Sequence, residues 1–358
     1  NPNQHAYQAG KSVETALHGL VGNIEKTLRD KHFALVAFFD IAGAFDSATF
    51  SSMEQALCKR HIERTLIKWT KEMLQRRKVT AHMGDVSSTV SVKKGCPQGG
   101  VLSPLTLVAD SLLVSMHKAG FQIQAYADDG VVFIAGQFLD VMCDLMQRAL
   151  NLIQNWCQQM RLAIQPEKMD LMLFTRRRKL NGYKAPILNG TELVLKPTVK
   201  YLGVLIDSKL TWKNHMDTKC RKATAAFCQV RRTVGKTWGL SPKMVKWLYT
   251  AVIRPTITYA AVVWWPRVEL VTVQAQLGRI QRLACLGITG ALRTTPTAAL
   301  EVILSLPPLH FLVEKEALGA CYRLIQSGQW IPKPIGHRWI KGRLYNYCDL
   351  YHFPSDRL

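Results

Sequence analysis

Apolar residues follow two different spacings along the first 210 residues of the chain. From Val13 to Leu28 they recur every three or four positions, which predicts an amphipathic helix. The nearly continuous apolar run FALVAFFDI (33–41) is typical of a buried strand, and we expect that strand to end on Asp40. The remaining pattern predicts helices over 50–60, 64–76, 101–118 and 137–160, hairpins at 78–92 and in QAYADDGVVF (124–133), and strands at 169–174 and 200–206.

After residue 210 the pattern is mostly helical. Ser241 and Pro242 have the N-cap and first-turn chemistry of a helix start. We expect Pro255 to end this helix. The apolar residues expected on its buried face are Met244, Val245, Leu248 and Val252. A mixed α/β part and a helical part are therefore predicted, with a boundary near residue 210.

Charge changes this picture, because the chain of 358 residues has a formal net charge of +22 and a pI of about 9.8. Residues 1–200 contain 25 basic and 17 acidic residues, and residues 201–358 contain 22 and 8, so the shorter second part is the more electropositive. Such an excess favours a polyanionic partner, either nucleic acid or an anionic membrane surface.

A membrane-spanning segment is not predicted. The longest charge-free runs, 95–109 and 255–266, are too short and are interrupted by proline or glycine. Nine cysteines occur singly, without a CxxC pair, which favours reduced thiols in an intracellular protein. The first residue is Asn1 and no signal-peptide pattern follows it, so we expect a fragment of a longer protein.

Three acidic residues stand in or beside apolar segments of the α/β part: Asp40, Asp128 and Asp129. Taken alone, Asp129 followed by glycine favours a hairpin turn over a metal site. If the three carboxylates converge, however, their repulsion requires cations, and hard oxygen ligands select Mg²⁺ or Mn²⁺. Two such ions about 3.5–4 Å apart support in-line phosphoryl transfer. That chemistry needs an anionic substrate, which the basic charge also predicts.

Several motifs stand in a fixed order along the chain: QHAYQAGKSVETALH (4–18), FFDIAGAFDS (38–47), GCPQGGVLSP (95–104), AYADD (125–129), QPEK (165–168), KYLGVLID (200–207), and the helical stretches at 238–266 and 288–309. They resemble the motifs of a reverse transcriptase, and the similarity is greatest to non-LTR (LINE-type) retrotransposons of the Jockey-like group. The resemblance covers nearly the whole chain and implies a right-hand polymerase of the α/β class: partial fingers and palm over 1–210, a helical thumb over 211–300 and a connecting segment over 301–358.

The resemblance implies a role for each matched acidic residue and for the ring that follows the first. Asp40 and Asp128 are expected to be the principal ligands of two Mg²⁺ or Mn²⁺ ions, with Asp129 assisting. Phe45 is expected to lie under the sugar of the incoming nucleotide and to exclude a 2′-hydroxyl, which favours a DNA product. Lys168 is expected to approach the triphosphate and to protonate the leaving pyrophosphate. Gln165 departs from the more usual asparagine before it.

The resemblance also implies contacts with substrate, primer and template. Gln98 and Gly99 belong to a loop whose backbone approaches the nucleotide, where Gly100 departs from the serine of many relatives, and Ile41, Ala42 and Tyr126 complete the substrate-binding set. Tyr201, Leu202 and Gly203 resemble the hairpin that grips the primer end. The basic residues expected to bind nucleic acid in the thumb are Lys219, Arg221, Lys222, Arg231, Arg232, Lys236, Lys243 and Lys246.

The implied activity is addition of deoxynucleotides (dNTPs) to a DNA primer on an RNA template, in the nucleus or cytoplasm. The alternatives are a catalytically inactive, nucleic-acid-binding retroelement remnant and an RNA-dependent RNA polymerase, which Phe45 disfavours. Lys11 in AGKS does not form a P-loop, because His5 occupies the position of the first glycine. The chain starts after the basic fingers motifs of relatives, and no endonuclease or RNase H segment is recognisable, so the sequence leaves open whether this fragment polymerises on its own.

Overall fold

The computed structural model describes residues 1–97, 105–177, 180–235, 238–331 and 335–343. The chain divides into two compact units. The first contains Asn1–Ser12 and Thr27–Pro197, and the second contains Val13–Lys26 and Thr198–Leu358. The division falls before residue 198, whereas the sequence predicts a boundary near residue 210.

The earlier division has a physical reason in the hairpin that follows Pro197. Its backbone and side chains bond to the next helix: Asn214 Nδ2 donates to Thr198 Oγ1 (3.1 Å), and the Leu205 amide donates to His215 Nδ1 (3.1 Å). Burial lowers the pKa of His215 to about 3, and Lys219 contributes to the decrease, so this imidazole is a neutral acceptor at physiological pH. The hairpin therefore belongs to the second unit.

The elements alternate between strand and helix in the first unit and are mostly helical in the second. The helices are α1 (Val13–Arg29), α2 (Ala44–Ser47), α3 (Phe50–Lys59), α4 (Arg64–Gln75), α5 (Leu105–Lys118), α6 (Leu139–Met160), α7 (Lys213–Arg232), α8 (Pro242–Leu248), α9 (Arg254–Thr258), α10 (Ala261–Trp264), α11 (Val271–Thr289), α12 (Thr297–Ile303) and α13 (Leu309–Gln326). The strands are β1 (Phe33–Ala42), β2 (Lys78–Met83), β3 (Val86–Ser91), β4 (Gln122–Tyr126), β5 (Asp129–Gly136), β6 (Ala163–Ile164), β7 (Asp170–Phe174), β8 (Ile187–Leu188), β9 (Thr191–Glu192), β10 (Thr198–Tyr201) and β11 (Val204–Asp207).

The central strand of the first unit is β1, which pairs antiparallel with β5 on one edge and with β7 and β6 on the other. Strand β4 continues the sheet beyond β5. The odd-numbered side chains of β1, from Phe33 to Ile41, lie in a core that α5 and α6 also line. Intervening residues such as Val36 are buried as well. Burial on both faces explains why this strand reads as a continuous apolar run.

The second unit has its own apolar core, built from α7, α11, α13 and the helical segments around residues 242–265. Ser241 Oγ accepts a hydrogen bond from the Met244 amide (3.4 Å), which confirms the predicted helix start. The prediction that Pro255 ends this helix is wrong. A π-helical turn, Tyr249–Ile253, follows α8, and Pro255 occupies the first turn of α9, where its missing N–H is tolerated.

The buried face of this helical segment also differs from the prediction. Val245 is buried together with Tyr249 and Ile253, whereas Met244 and Val252 are exposed. The buried residues recur every four positions and include Tyr249, which the prediction left out, while the predicted Leu248 is only partly buried. Among the described residues, no helix is both long enough and apolar enough to traverse a bilayer.

Candidate active site

Asp40 and Asp129 face each other across two neighbouring strands of the sheet. They are paired residues in the antiparallel ladder between β1 and β5, and Tyr126 pairs with Asp129 from the other side. Strand β1 continues two residues past Asp40, to Ala42, so Asp40 lies inside the strand rather than at its end. Directly opposed residues of an antiparallel pair have Cβ atoms about 4.5–5.5 Å apart, so the ladder itself brings two carboxylates together.

The third carboxylate, Asp128, belongs to the tight turn that joins β4 to β5. Ala127 and Asp128 are the two residues between the strands, and Ala127 has φ = 58°, in the left-handed region. A positive φ at the first central position is what a two-residue hairpin turn of the primed type requires, and glycine usually supplies it. The turn therefore lies one to two residues before the Asp-Gly dipeptide that signalled it in the sequence.

Gly130 is an interior residue of β5 and has a packing role. A Cβ built on Gly130 would overlap the ring of Phe39, its ladder partner in β1. The absence of a side chain at this position lets the Phe39 ring lie against the strand beside the aspartates. The glycine after the two aspartates is therefore explained by the close approach of the Phe39 ring and not by a turn.

The carboxylates influence each other electrostatically. Burial raises the pKa of Asp129 to about 6, and the charges of Asp128 and Asp40 add to the increase. Burial also raises the pKa of Asp128, and Asp40 contributes again. Neighbouring like charges and partial desolvation both disfavour the ionised form, so the cluster is electrostatically costly when no cation is near.

Lys168 is the nearest described cation to this cluster. It ends a short 3₁₀ helix, Pro166–Lys168, that follows β6, and its Nζ lies 3.5 Å from Asp40 Oδ2. Both side chains are substantially exposed, at 50% for Lys168 and 35% for Asp40. The structure thus brings together two residues that the sequence predicts to be catalytic and that lie 128 positions apart.

The donor set suits a divalent metal, because three carboxylates offer hard oxygen ligands and their mutual repulsion is relieved by a cation. The side chains are not already assembled around a metal position. Within the described ranges, no three His, Cys, Asp or Glu side chains are arranged to hold a metal ion. Asp40 is instead oriented towards Lys168. The carboxylates are suitable ligands, and the strand register brings two of them to opposite positions. Their side chains would have to reorient to bind a metal ion.

The other predicted substrate contacts are only partly described. Ile41 is buried and pairs with Ile164, and Ala42 pairs with Ala163, so both lie in the part of β1 that passes the aspartates. Phe45 belongs to α2, directly after β1, and its side chain is outside the description. Gln98 and Gly99 also lie outside the described residues.

The hairpin predicted to grip the primer consists of β10 and β11 in the second unit. Leu202 (φ = 45°) and Gly203 (φ = 79°) form its turn, both in the left-handed region, as a primed two-residue turn requires. Tyr201 is buried. Tyr259 Oη donates to the Leu202 carbonyl (3.0 Å), and its ring packs against Gly203, where a Cβ would lie 3.1 Å from Cε1.

Asp207, at the end of the same hairpin, has a structural role. Its carboxylate accepts hydrogen bonds from the backbone amides of Lys209 (3.2 Å), Thr211 (2.9 Å) and Trp212 (2.7 Å). These bonds order the loop that leads into α7. The acid that ends the KYLGVLID motif is therefore explained by loop structure without a role in chemistry.

The basic residues predicted to contact nucleic acid divide into two groups. Lys219 packs its ammonium over the Tyr259 ring (4.9 Å to the centroid), and burial, with Lys222 and Lys200 nearby, lowers its pKa. Lys246 is partly buried, and Lys236 lies outside the described residues. The members that are exposed on α7 and α8 are Arg221, Lys222, Arg231, Arg232 and Lys243.

Two residues near these sites were not singled out by the sequence. Gln4 is buried and bonds to the backbone of Ala127, and Tyr259 supports the hairpin turn at Leu202. Both stand in segments that carry the resemblance, 4–18 and 238–266, but the resemblance assigns neither of them a role. Their roles depend on contacts between segments that are far apart in the chain.

Residues 1–206 match the family model described as reverse transcriptase (RNA-dependent DNA polymerase). The chain is 26% identical over 320 residues to a putative 115 kDa protein in a type-1 retrotransposable element of Drosophila melanogaster, covering 88% of this chain. It is 27% identical over 307 residues to a retrovirus-related Pol polyprotein from a type-1 retrotransposable element of Bradysia coprophila, covering 85%. It spans 30% of the length of each of these relatives.

Two further similarities are more distant. The RNA-directed DNA polymerase from the mobile element jockey of Drosophila melanogaster is 24% identical over 271 residues, which cover 73% of this chain and 29% of that protein. Among solved structures, the apo telomerase of Candida tropicalis is similar over 96% of this chain and 57% of its own, with a TM-score of 0.44 and 12% identity.

Proposed function

This chain belongs to the reverse transcriptase (RNA-dependent DNA polymerase) family, and we propose that it is the DNA-synthesising part of a longer non-LTR retrotransposon protein. The reaction is addition of a deoxynucleotide to the 3′-hydroxyl of a DNA primer on an RNA template. The observation that carries the proposal is the ladder register that sets Asp40 opposite Asp129, with Asp128 in the adjoining turn.

The three carboxylates would hold two divalent cations, Mg²⁺ or Mn²⁺, in this proposal. Such ions, when bound, activate the attacking hydroxyl and stabilise the charge that develops on the leaving pyrophosphate. The backbone ladder sets Asp40 and Asp129 opposite each other before substrate binds, and their side chains would turn to the ions. Burial and then like charge raise the pKa values of Asp128 and Asp129, and a bound cation would offset the repulsion between these charges.

Lys168 would act on the side of the triphosphate. Its ammonium lies 3.5 Å from Asp40, so it reaches the neighbourhood of the carboxylates without further movement of the backbone. An ammonium in this position can neutralise phosphate charge and give a proton to the leaving pyrophosphate. Phe45 would exclude a 2′-hydroxyl, from its position on the short helix after β1.

The basic second unit would bind the primer–template duplex. The exposed charges on α7 and α8 neutralise phosphates without reading sequence, which suits an enzyme that must copy any template. The hairpin around Leu202 and Gly203, braced by Tyr259, would contact the primer end. In this proposal the protein works inside the cell, in the nucleus and the cytoplasm.

Primer extension on poly(rA)/oligo(dT) with Mg²⁺ or Mn²⁺ tests the proposal. We expect incorporation of deoxynucleotides by the unmutated chain, loss of incorporation in Asp128→Ala, and normal incorporation in Asp144→Ala, a control for an exposed acid on α6. Tight, salt-sensitive binding of primer–template without incorporation by the unmutated chain would contradict polymerase activity and favour an inactive remnant. Equal use of ribonucleotides by the unmutated chain and Phe45→Ala would contradict the role of Phe45.

A further inference from the structure

Gln4 is a buried polar side chain whose amide group is directed at the turn containing Asp128. Its relative exposure is 3%. Gln4 Oε1 accepts a hydrogen bond from the Ala127 amide (3.1 Å), and Gln4 Nε2 donates to the Ala127 carbonyl (3.4 Å). Both backbone groups of one turn residue are therefore bonded by a single side chain 123 positions away. A buried amide that is satisfied in this way fixes the orientation of its partners.

The backbone around Gln4 strengthens this connection, since it forms an isolated parallel bridge to β4. The His5 amide donates to the Ala125 carbonyl (2.8 Å), the Ala125 amide donates to the Asn3 carbonyl (2.9 Å), and Gln4 pairs with Ala125. Lys11 Nζ donates to the Gln4 carbonyl (3.0 Å) and holds the same segment from the other side. Lys11, which does not fit a P-loop, thus has a structural explanation.

Gln4 Oε1 also accepts from the amides of His5 (3.0 Å) and Ala6 (3.1 Å). Gln4 Oε1 is therefore fixed by two amides of its own segment while it accepts the hydrogen bond from the Ala127 amide. The same glutamine therefore joins its own segment to the turn and to β4. A movement of the turn would break bonds in both.

The residue that Gln4 holds is the conformationally strained one. Ala127 has φ = 58°, a region that L-residues other than Asn and Asp adopt rarely, and it is followed immediately by Asp128 and Asp129. A strained backbone conformation persists only where surrounding interactions determine it. A change of φ at Ala127 would redirect the Asp128 carboxylate and alter the first pair of the β4–β5 ladder.

We propose that Gln4 is a positioning residue that holds Ala127 in its left-handed conformation and so sets the direction of the Asp128 and Asp129 carboxylates for metal and nucleotide. The proposal rests on the proposed polymerase function for its catalytic consequence. Its physical content, the orientation of the two carboxylates, can be measured without catalysis.

The chemistry of the side chain makes glutamine the suitable residue. Leucine would remove all four bonds. Glutamate would keep the acceptor but lose the donor to the Ala127 carbonyl. It would also add a negative charge beside two carboxylates that already repel each other. The leucine variant therefore tests the loss of all four hydrogen bonds, and the glutamate variant tests the loss of one bond together with an added negative charge.

The test compares Gln4→Leu and Gln4→Glu with Gln8→Leu, which removes a hydrogen bond to the Asn1 carbonyl within the same segment and none to the turn. Mn²⁺ binding is measured by electron paramagnetic resonance, and kcat, the KM for dNTP and the thermal unfolding of each variant are measured alongside. For Gln4→Leu we expect weaker Mn²⁺ binding and a kcat about 10- to 100-fold lower, as for a small misplacement of a catalytic group. Gln8→Leu should match the unmutated chain.

A double-mutant cycle with Ala127→Gly distinguishes positioning from a general loss of structure. Glycine adopts positive φ without strain, so the effect of Gln4→Leu on Mn²⁺ binding should be smaller when residue 127 is glycine. Additive effects of the two changes would overturn the proposal. So would equal Mn²⁺ binding by Gln4→Leu, Gln4→Glu and the unmutated chain.

The outcomes for the two proposals are separable. If the unmutated chain binds Mn²⁺ but incorporates no nucleotide, the polymerase proposal fails. The Mn²⁺ measurements then still decide whether Gln4 positions the carboxylates. If Gln4→Leu does not fold, Gln4→Glu with and without Ala127→Gly supplies a second cycle, because it loses only the donor bond to the Ala127 carbonyl and its added charge is common to both backgrounds.

Discussion

Lys168 Nζ lies 3.5 Å from Asp40 Oδ2, so the protein's own ammonium pairs with a carboxylate that the proposed metal site would use. The pair is half exposed, and such pairs contribute only about 0–1 kcal/mol to stability. Loss of the Lys168–Asp40 pair on binding of a divalent ion would therefore cost little free energy. In the proposed function, a metal ion held by Asp40 would free Lys168 to approach the triphosphate, so the two proposed roles would be coupled.

Substitution Lys168→Met should separate these roles. We expect tighter Mn²⁺ binding by the chain without nucleotide, because the competing ammonium is gone, together with a kcat about 10²-fold lower, because proton donation to the leaving group is lost. Lys71→Met, which breaks the exposed pair between Lys71 and Glu54 (2.8 Å), is the matched control and should change neither quantity. Weaker Mn²⁺ binding in Lys168→Met would show that the lysine supports the site instead of competing for it.

Asp129→Asn should stabilise the chain at neutral pH when no divalent ion is present. The folded-state pKa of Asp129 is raised to about 6 from 3.8, so between about pH 4 and pH 6 the folded chain retains a proton that the unfolded chain releases. Stability therefore decreases as pH rises through this window, and the penalty is complete above about pH 6. We expect Asp129→Asn to gain roughly 1 kcal/mol at pH 7.5 after solvent screening.

Urea denaturation in EDTA at pH 7.5 and near pH 4 measures this effect. The gain should fall to a small fraction near pH 4, where Asp129 is protonated in the folded chain and only partly ionised in the unfolded chain. Added Mg²⁺ should stabilise the unmutated chain more than the variant. A loss of stability at pH 7.5 in EDTA would contradict the electrostatic explanation.

Gly203→Ala tests the hairpin predicted to grip the primer. Gly203 and Gly190 have nearly the same φ, 79° and 78°, but only at Gly203 would a Cβ meet a neighbour, the Tyr259 ring at 3.1 Å. Each alanine should cost about 1 kcal/mol for the left-handed conformation, so Gly190→Ala controls for backbone strain. We expect only Gly203→Ala to raise the Kd for primer–template. Equal Kd values for the two variants would remove the hairpin from the binding surface.

Removal of exposed charge on α7 should weaken nucleic-acid binding in a salt-dependent way. In the double variant Arg231→Gln, Arg232→Gln, the slope of log K against log[salt] should decrease by about 1 for each phosphate contact removed. Lys315→Gln, an exposed cation on α13, serves as the control. Binding titrations at several salt concentrations check the slope, and an unchanged slope would place the nucleic acid elsewhere.

Acid should destabilise the second unit through His18. His18 Nδ1 lies 2.8 Å from His337 Nε2, and His337 Nδ1 lies 2.9 Å from Glu25 Oε2. Burial, then His337 and Arg338, lowers the pKa of His18 to about 2. The unfolded chain takes up a proton below about pH 6.5 and the folded chain does not, so stability is lost as pH falls, by about 1.4 kcal/mol per pH unit.

Denaturation between pH 7 and pH 5 should show this dependence, and His18→Asn should reduce its slope by the equivalent of one proton. His61→Asn, at an exposed histidine, should leave the slope unchanged. If His18→Asn keeps the full slope, other groups cause the acid sensitivity.

The helices and strands of the first unit could be predicted well from apolar periodicity. Strand β1, helix α6 and the hairpin of β4 and β5 were all anticipated, because their spacing of apolar residues reflects burial against one core. The family match confirms the resemblance to reverse transcriptases and, with it, the α/β polymerase fold class. The assigned roles of individual site residues stay predictions.

Features that depend on two distant segments could not be predicted. The register of Asp40 with Asp129 needs the pairing of β1 and β5, and the bonds of Gln4 need a segment 123 positions from the turn. The π-helical turn before Pro255 has no signal in a regular period. Gly130 looked like a turn residue because its partner, the Phe39 ring, is not visible in the local sequence.

Helix α1 lies within the family match but belongs mostly to the second structural unit. The family match runs continuously over residues 1–206, yet Val13–Lys26 belongs to the second unit together with residues from Thr198 onward. Leu17, Leu20 and Ile24 of this helix are buried. An expression fragment cut at Pro197 would leave those side chains without their covering and invite aggregation. The two units are thus inseparable by any single cleavage of the chain, and domain-by-domain dissection of this protein calls for a fragment design that keeps α1 with the helical unit.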